Sequence, residues 1–479
     1  MGRKIFLRSY LFLITIMVSA VAVEAKIKIA CIGASITYGA GIANRETNAY
    51  PVQLQKLMGS NYEVRNFGIS GTTLLLKGDH PYQKTAQFNE TLQWKPDIVI
   101  IDLGGNDAKA INRKYIADFK SDYLSFIQKF KQLPNHPRIV LLTAMVSFVK
   151  DSAGIWDPVI TKNINPLIQE VAFIAKAEVI DMHAPLVNHQ ELFSDLLHPN
   201  AEGASIMANT VYSCLAMKRD VAFNIFSRLS APFKITGFFG YECADFEYVG
   251  RNCKIVKPKY TAKGHPWVWR ARFWAHEPQA DIALLEKGFH IVYCDVAELL
   301  GNPTAINIWN GYYHLLVKAG LHKKAVMEGM SRGGIYVFNW AAENPDKVAC
   351  VYVDNPLLNI SNWASDILES GKSNDMVKAF MADFGLKDLT AVKNFNKNPT
   401  DRIADIVKGK YPILILCADA DEQVKPAENT LDFERKIIAG GGQITVIHKP
   451  GFAHHPHSLP NPKPIVDFIL KATGKLHKD

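Results

Sequence analysis

Between residues 26 and 215 the chain alternates short apolar runs with longer stretches in which apolar residues recur every three or four positions. Lys26–Gly33, Tyr62–Phe67, Asp97–Leu103, Arg138–Ala144 and Glu178–Met182 have strand length, whereas Tyr115–Gln132 and Ile160–Ala177 carry helical spacing. Runs with so little polar interruption fit strands buried on both faces, which predicts a parallel sheet flanked by helices. A second series follows, with strand candidates Phe289–Asp295, Ala325–Glu328, Ala349–Asp354, Ile413–Ala418 and Gln443–His448. Helical stretches such as Ala305–Ala319 and Glu428–Ala439 separate them. The two series share no visible repeat, so duplication does not explain them. The basic and aromatic connection Met217–Tyr241 has no Gly/Ser or Pro tract, which predicts packed units and not beads on a flexible string.

A length of 479 residues exceeds one ordinary core and agrees with two α/β domains, placed at 26–215 and 235–475 with 216–234 as linker. The first residues fit neither domain. Arg3, Lys4 and Arg8 precede an apolar stretch from Tyr10 to Val23, and Val23-Glu24-Ala25 has the small residues of a cleavage site. Residues 1–25 therefore read as a secretory signal peptide, with an uncleaved membrane anchor as the alternative. The expectation is a secreted or periplasmic protein with no membrane association after cleavage. Removal of those residues lowers the formal charge from +8 to +6, and no Lys/Arg block forms a nucleic-acid footprint. Of seven cysteines, Cys31, Cys294 and Cys417 fall in strand-like runs as buried thiols, while Cys243 and Cys253 flank a polar segment and are candidate disulfide partners. Oligomeric state is not legible.

The first domain gathers groups suited to nucleophilic catalysis. Ser35 follows the first apolar run, where a parallel sheet presents functional groups at the strand ends. The serine needs a base and oxyanion donors. Gly71, in Asn66-Phe67-Gly68-Ile69-Ser70-Gly71, and Asn106, in Gly104-Gly105-Asn106-Asp107, are candidate donors after the second and third runs. Asp195 and His198, three residues apart, provide an acid and a base. In this order and spacing the blocks resemble the SGNH (GDSL) hydrolase family over about residues 26–212. That resemblance implies a flavodoxin-like parallel sheet. It also implies Ser35 as nucleophile, Gly71 and Asn106 as oxyanion donors, and Asp195 with His198 as the remaining dyad. Ala34 departs from the family, which usually has Asp there; a non-catalytic, binding-only fold is the alternative.

The second domain offers Gly329-Met330-Ser331-Arg332-Gly333, a Gly-x-Ser-x-Gly elbow between a strand-like run and an apolar helix at Ile335–Ala342. Ser331 would be the nucleophile and the Arg332 amide half of an oxyanion hole. Downstream, Ala418-Asp419-Ala420-Asp421 and Gly451-Phe452-Ala453-His454-His455-Pro456-His457 supply acids and histidines. A metal cluster on the three histidines is a competing reading, without other ligand types nearby in sequence. The order Ser, Asp, His resembles the α/β-hydrolase superfamily over about residues 235–475, including its prolyl-oligopeptidase-like and carbohydrate-esterase branches. The resemblance implies Asp421 as acid, with Asp419 as rival, and His454 as base, with His455 as rival. Gly264–Arg270 stands at the expected oxyanion loop, with the second donor amide near Trp267.

Trp267 and Trp269 are candidate sugar-stacking residues, and Arg270, Arg272 and Arg332 candidates to pair with a substrate carboxylate. Joined hydrolase units of these two kinds resemble bimodular bacterial carbohydrate esterases. The expectation is a bifunctional serine esterase acting on an esterified oligo- or polysaccharide, plant-type or host, without metal or organic cofactor. It would remove O-acetyl groups in the first domain and acetyl, methyl or aromatic acyl esters in the second. A secreted lipase or thioesterase is the alternative, although no segment reads as an apolar lid helix. A pairing of one active domain with one glycan-binding module is the other.

Overall fold

The computed structural model describes residues 25–372 and 374–475; the expected signal peptide lies almost wholly outside them. In the first domain, β1 (Ile27–Gly33), β2 (Tyr62–Gly68), β3 (Ile98–Asp102), β4 (Arg138–Leu142) and β5 (Glu178–Ile180) form one sheet in the order β2-β1-β3-β4-β5. Every pairing is parallel. Successive strand residues alternate between two apolar layers. Ala30, Ile32, Val99 and Ile101 face the helices Phe119–Lys131 and Asn165–Ala175. Ile29, Cys31, Ile98 and Ile100 face Tyr50–Met58 and Ala201–Leu215. Burial on both faces is why β1 and β3 carry almost no polar residues.

The connection is packed. Its β6 (Arg219–Asp220) pairs antiparallel with β10 (Thr261–Ala262), and Phe223, Ile225 and Phe226 enter the core of the second domain. That domain contains β7 (Lys234–Phe238), β8 (Tyr241–Tyr248), β9 (Arg251–Lys257), β11 (Trp267–Arg270) and β12 (His290–Cys294). The sheet continues with β13 (Ala325–Met330), β14 (Val348–Asp354), β15 (Ile413–Ala418) and β16 (Ile444–Lys449). Nine strands run in the order β16-β15-β14-β13-β11-β12-β9-β8-β7. The strands from β11 onward pair parallel with one another, while β7, β8 and β9 form an antiparallel edge.

The apolar layer between the domains is shared: Val171 and Ala172 of the first belong to one cluster with Phe238 and Tyr241 of the second. Glu286 crosses the boundary and accepts a 2.6 Å bond from the Asp181 amide. Burial, then the Asp181 carboxylate, push the Glu286 carboxyl up to about 8.

Cys243 and Cys253 do not pair; every cysteine is a free thiol. Cys243 points into the layer between the domains and Cys253 into the layer on the opposite face of the sheet. Cys253 instead lies opposite Cys294 across the β9–β12 ladder.

Two candidate active sites

Ser35 opens the single helical turn Ser35–Tyr38 that follows β1. That turn is clamped from behind. Thr37 donates a 2.9 Å bond to Asp102 at the end of β3, whose carboxyl burial raises to about 6. Asn66 donates to the Thr37 carbonyl at 2.8 Å. Gly68 is required by space: a Cβ there would stand 2.3 Å from the Tyr38 nitrogen.

The Asp195–His198 turn brings its base to the serine. His198 Nε2 lies 2.8 Å from Ser35 Oγ, and His198 Nδ1 lies 2.6 Å from Asp195 Oδ2. With Nδ1–H donating to the carboxylate, Nε2 is left to accept the serine proton. Burial acts to raise the Asp195 carboxyl, but bonds from the His198 ring and from the His198 and Leu197 amides outweigh it and hold it below its ordinary value.

Gly71 sits after β2 at φ +81°, in the left-handed region. Asn106, buried after β3, donates its Nδ2 to the Thr72 carbonyl at 3.0 Å, which ties the two donor loops together. Asp107, unassigned from sequence, strengthens that tie. Its buried carboxylate accepts the Leu74 amide at 3.0 Å and the Leu75 amide at 2.8 Å. Its place directly after Asn106 was the signal available for it.

Ser331 occupies a sharp elbow at φ +50° between β13 and the helix Gly333–Glu343. Its amide donates to the Asp354 carbonyl at 2.9 Å. Gly329 is required because a Cβ there would meet the backbone of Gly333 at 2.8 Å. His454 Nε2 lies 2.9 Å from Ser331 Oγ and its Nδ1 lies 2.6 Å from Asp421 Oδ2. Burial acts to raise the Asp421 carboxyl, yet the His454 ring and the Val424 and Gln423 amides hold it low. Asn355, missed in the sequence, donates to the His454 carbonyl at 2.9 Å and accepts the Ala418 amide at 2.7 Å, so one amide side chain fixes both the base loop and the acid strand.

Neither rival serves Ser331. Asp419 bonds His448 at 2.7 Å, and His457 bonds Asp354 at 3.2 Å. His455 is exposed and makes no bond to Ser331 among the described residues. His454, His455 and His457 place ligand atoms within 4.8 Å of one another, but both ring nitrogens of His454 already serve Asp421 and Ser331.

Three substrate-binding expectations are corrected. Trp267 and Trp269 form β11 and are 0% exposed, within an aromatic core where Trp269 lies 4.6 Å from Trp309 and 5.2 Å from Trp340 between ring centres. Arg270 is 1% exposed and bonds Asp281 and Glu328, so it is a buried ion-network residue. The Trp267 amide lies in the β11 strand and not in a loop. A loop begins after β11: the Ala271 amide donates to the Glu328 carbonyl at 2.9 Å. The Arg272 amide follows, on the loop that faces the elbow; a Cβ at Gly333 would stand 3.9 Å from the Arg272 Cβ. Arg332 is half-buried, with no acid within ion-pair reach among the described residues. Its guanidinium contacts the Met376 sulfur at 3.3 Å, so the helix Asp375–Phe384 stands beside the nucleophile although no lid was legible in the sequence.

The two relays differ in exposure. Asp195 is 52% exposed and His198 19%, against 1% for Asp421 and 5% for His454. The acid and base of the first relay are thus more open to solvent than those of the second.

Residues 31–206 match the GDSL-like lipase/acylhydrolase family, so the N-terminal region carries a domain of that family. An acetylxylan esterase from Xylanibacter ruminicola is 39% identical over 210 residues, which are 40% of this chain and 44% of that protein. The α/β hydrolase domain-containing protein WAV2 of Arabidopsis thaliana is 28% identical over 131 residues, 27% of this chain and 40% of that protein. The chain thus spans about two-fifths of the length of these curated relatives. Among solved structures, an S-formylglutathione hydrolase from Agrobacterium tumefaciens matches at 14% identity and TM-score 0.37, over 50% of this chain and 96% of that one. The carbohydrate acetylesterase Est24 from Sinorhizobium meliloti matches at 16% identity and TM-score 0.33, over 40% and 99%.

Proposed function

We propose that this protein is a secreted serine esterase with two working sites that remove ester decorations from saccharides. O-Acetyl removal is assigned to Ser35, and cleavage of a second, smaller esterified saccharide to Ser331. The observation that carries the reading is that each domain holds a complete hydrogen-bonded Ser–His–Asp relay. Likeness to an acetylxylan esterase supports saccharide esters as the substrate class. The more exposed first relay suits decorations on a polymer; the more buried second relay suits released oligosaccharides. Secretion rests on the character of residues 1–25.

In each site the serine hydroxyl passes its proton to histidine Nε2 as Oγ attacks the ester carbonyl. The aspartate, bonded to Nδ1, stabilises the imidazolium. Backbone and amide N–H groups hold the tetrahedral oxyanion: Gly71 and Asn106 in the first site, Arg332 and Arg272 in the second. Collapse breaks the bond to the sugar oxygen, which takes the proton from histidine. Water then loses a proton to the same histidine, attacks the acyl-serine and releases the carboxylic acid, restoring the serine. No step calls for a metal or organic cofactor.

The test uses Ser35→Ala, Ser331→Ala and the double variant on p-nitrophenyl acetate and acetylated xylo-oligosaccharides. Each single variant is expected to lose part of the hydrolysis and the double variant all of it. A single variant that abolishes every activity reduces the protein to one working site.

A further inference from the structure

Arg272 and Arg332 are rooted on the two segments that meet at the Ser331 elbow. Arg332 follows the nucleophile directly, and the Arg272 Cβ lies 3.9 Å from a Cβ placed at Gly333. Both guanidinium groups stack on one ring: the Arg272 carbon is 5.0 Å and the Arg332 carbon 5.5 Å from the Phe273 centre. Neither has an ion-pair partner among the described residues, a lack shared there with Arg113, which bonds two backbone carbonyls, and with the exposed Arg228. The Arg272 Nε is buried without a hydrogen-bond partner among the described residues. Burial first, then repulsion from Arg272, lower the Arg332 guanidinium from its ordinary value. Glu298 feels the Arg272 charge but is itself bonded to Arg251, and burial raises the Asp383 carboxyl.

Two like charges, part-buried and without a counter-ion, cost stability unless an anion completes them. We propose that Arg272 and Arg332 form a carboxylate clamp, making the Ser331 site selective for saccharide esters that carry a free carboxylate besides the scissile ester. The inference rests on the esterase reading of Ser331 and narrows its substrate. Planar guanidinium forks match a carboxylate bidentately, and Phe273 holds both in place. A uronate acylated on a hydroxyl fits. A uronate whose carboxyl is itself the methyl ester offers no anion before cleavage and is disfavoured.

The test uses the Ser35→Ala protein, so that hydrolysis reports Ser331 alone. Mono-O-acetyl glucuronic acid and mono-O-acetyl glucose differ only in carboxylate against hydroxymethyl. The kcat/KM ratio is expected to favour the acid by about tenfold or more, residing in KM, since charge-assisted bonds are among the stronger ones. Arg272→Met and Arg332→Met should each lower the ratio, and the double variant should bring it near one; Arg332→Lys, keeping charge without the fork, should fall between. A ratio near one in the parent, or unchanged in the double variant, overturns the clamp. Equal loss on both substrates assigns the arginines to the oxyanion instead and also overturns it. If Ser331 hydrolyses nothing, the esterase reading fails separately. The clamp is then read by calorimetry on Ser35→Ala/Ser331→Ala protein: glucuronate should bind more tightly than glucose and lose that preference in the arginine double variant. Absence of a preference for glucuronate overturns the clamp.

Discussion

Replacing Trp269 by alanine separates a sugar platform from a core residue. The indole is fully buried and lies 5.6 Å from Trp267, 4.6 Å from Trp309 and 5.2 Å from Trp340 between ring centres. Truncating a buried tryptophan costs about 3–5 kcal/mol through lost transfer energy and the cavity left behind. The neighbouring rings are themselves held in strands and helices and cannot collapse freely into the space. For a domain of this size each kcal/mol lowers the melting midpoint by roughly 2–4 °C, so a fall of about 6–20 °C is expected. Differential scanning calorimetry on the Ser35→Ala background measures it, with kinetics on an acetylated disaccharide at a temperature where both proteins stay folded. KM should move little in the folded fraction. A midpoint within about 2 °C of the parent together with a raised KM would refute the core assignment and restore the sugar platform.

Asp107→Leu in a Ser331→Ala background should lower kcat on p-nitrophenyl acetate, because two buried amides lose their acceptor at about 1–3 kcal/mol each and the Gly71 loop is left with a weaker tie to Asn106; unchanged kcat contradicts this. Asp421→Asn should cut Ser331-dependent kcat by about three to four orders of magnitude, as loss of the orienting acid does in a buried triad. Asp195→Asn should cost Ser35 less, since water reaches that half-exposed carboxylate, and equal losses would contradict the exposure argument. Glu286 titrates near 8 when folded, above its ordinary value, so the folded chain binds its proton more tightly. Its contribution is therefore full at pH 4 and is lost as pH rises through about 8. Glu286→Gln should flatten that slope, matching the parent's thermal midpoint at pH 5 and exceeding it at pH 9; parallel profiles contradict the assignment.

The interior strands of both sheets were legible because they are buried on both faces: Ile98–Asp102 in the first and Ile413–Ala418 in the second read as apolar runs without pairing partners being known. Ser35 and its base were legible because the acid and base are three residues apart on one turn. The antiparallel edge was not. Lys234–Phe238 and Arg251–Lys257 carry charges on exposed or half-buried positions and lack the uninterrupted runs of the interior strands. β11 was the most consequential miss. Four residues, Trp267–Arg270, form a strand only by pairing with β12 and β13, whose register is nonlocal. Read as a loop, they put a core indole at the site. Arg270 misled for the same reason: its partners Asp281 and Glu328 are 11 and 58 residues away. Arg332 sits next to the nucleophile in sequence, but its lack of a counter-ion is a property of space.

The claim of two working relays in one chain is tested most directly by counting activated serines. The purified protein, treated with a fluorophosphonate and measured by intact mass, is expected to gain two adducts, mapped by peptide analysis to Ser35 and Ser331. Ser35→Ala and Ser331→Ala should each gain one and the double variant none. A single adduct on the parent, or two adducts that map to other serines, would contradict the account.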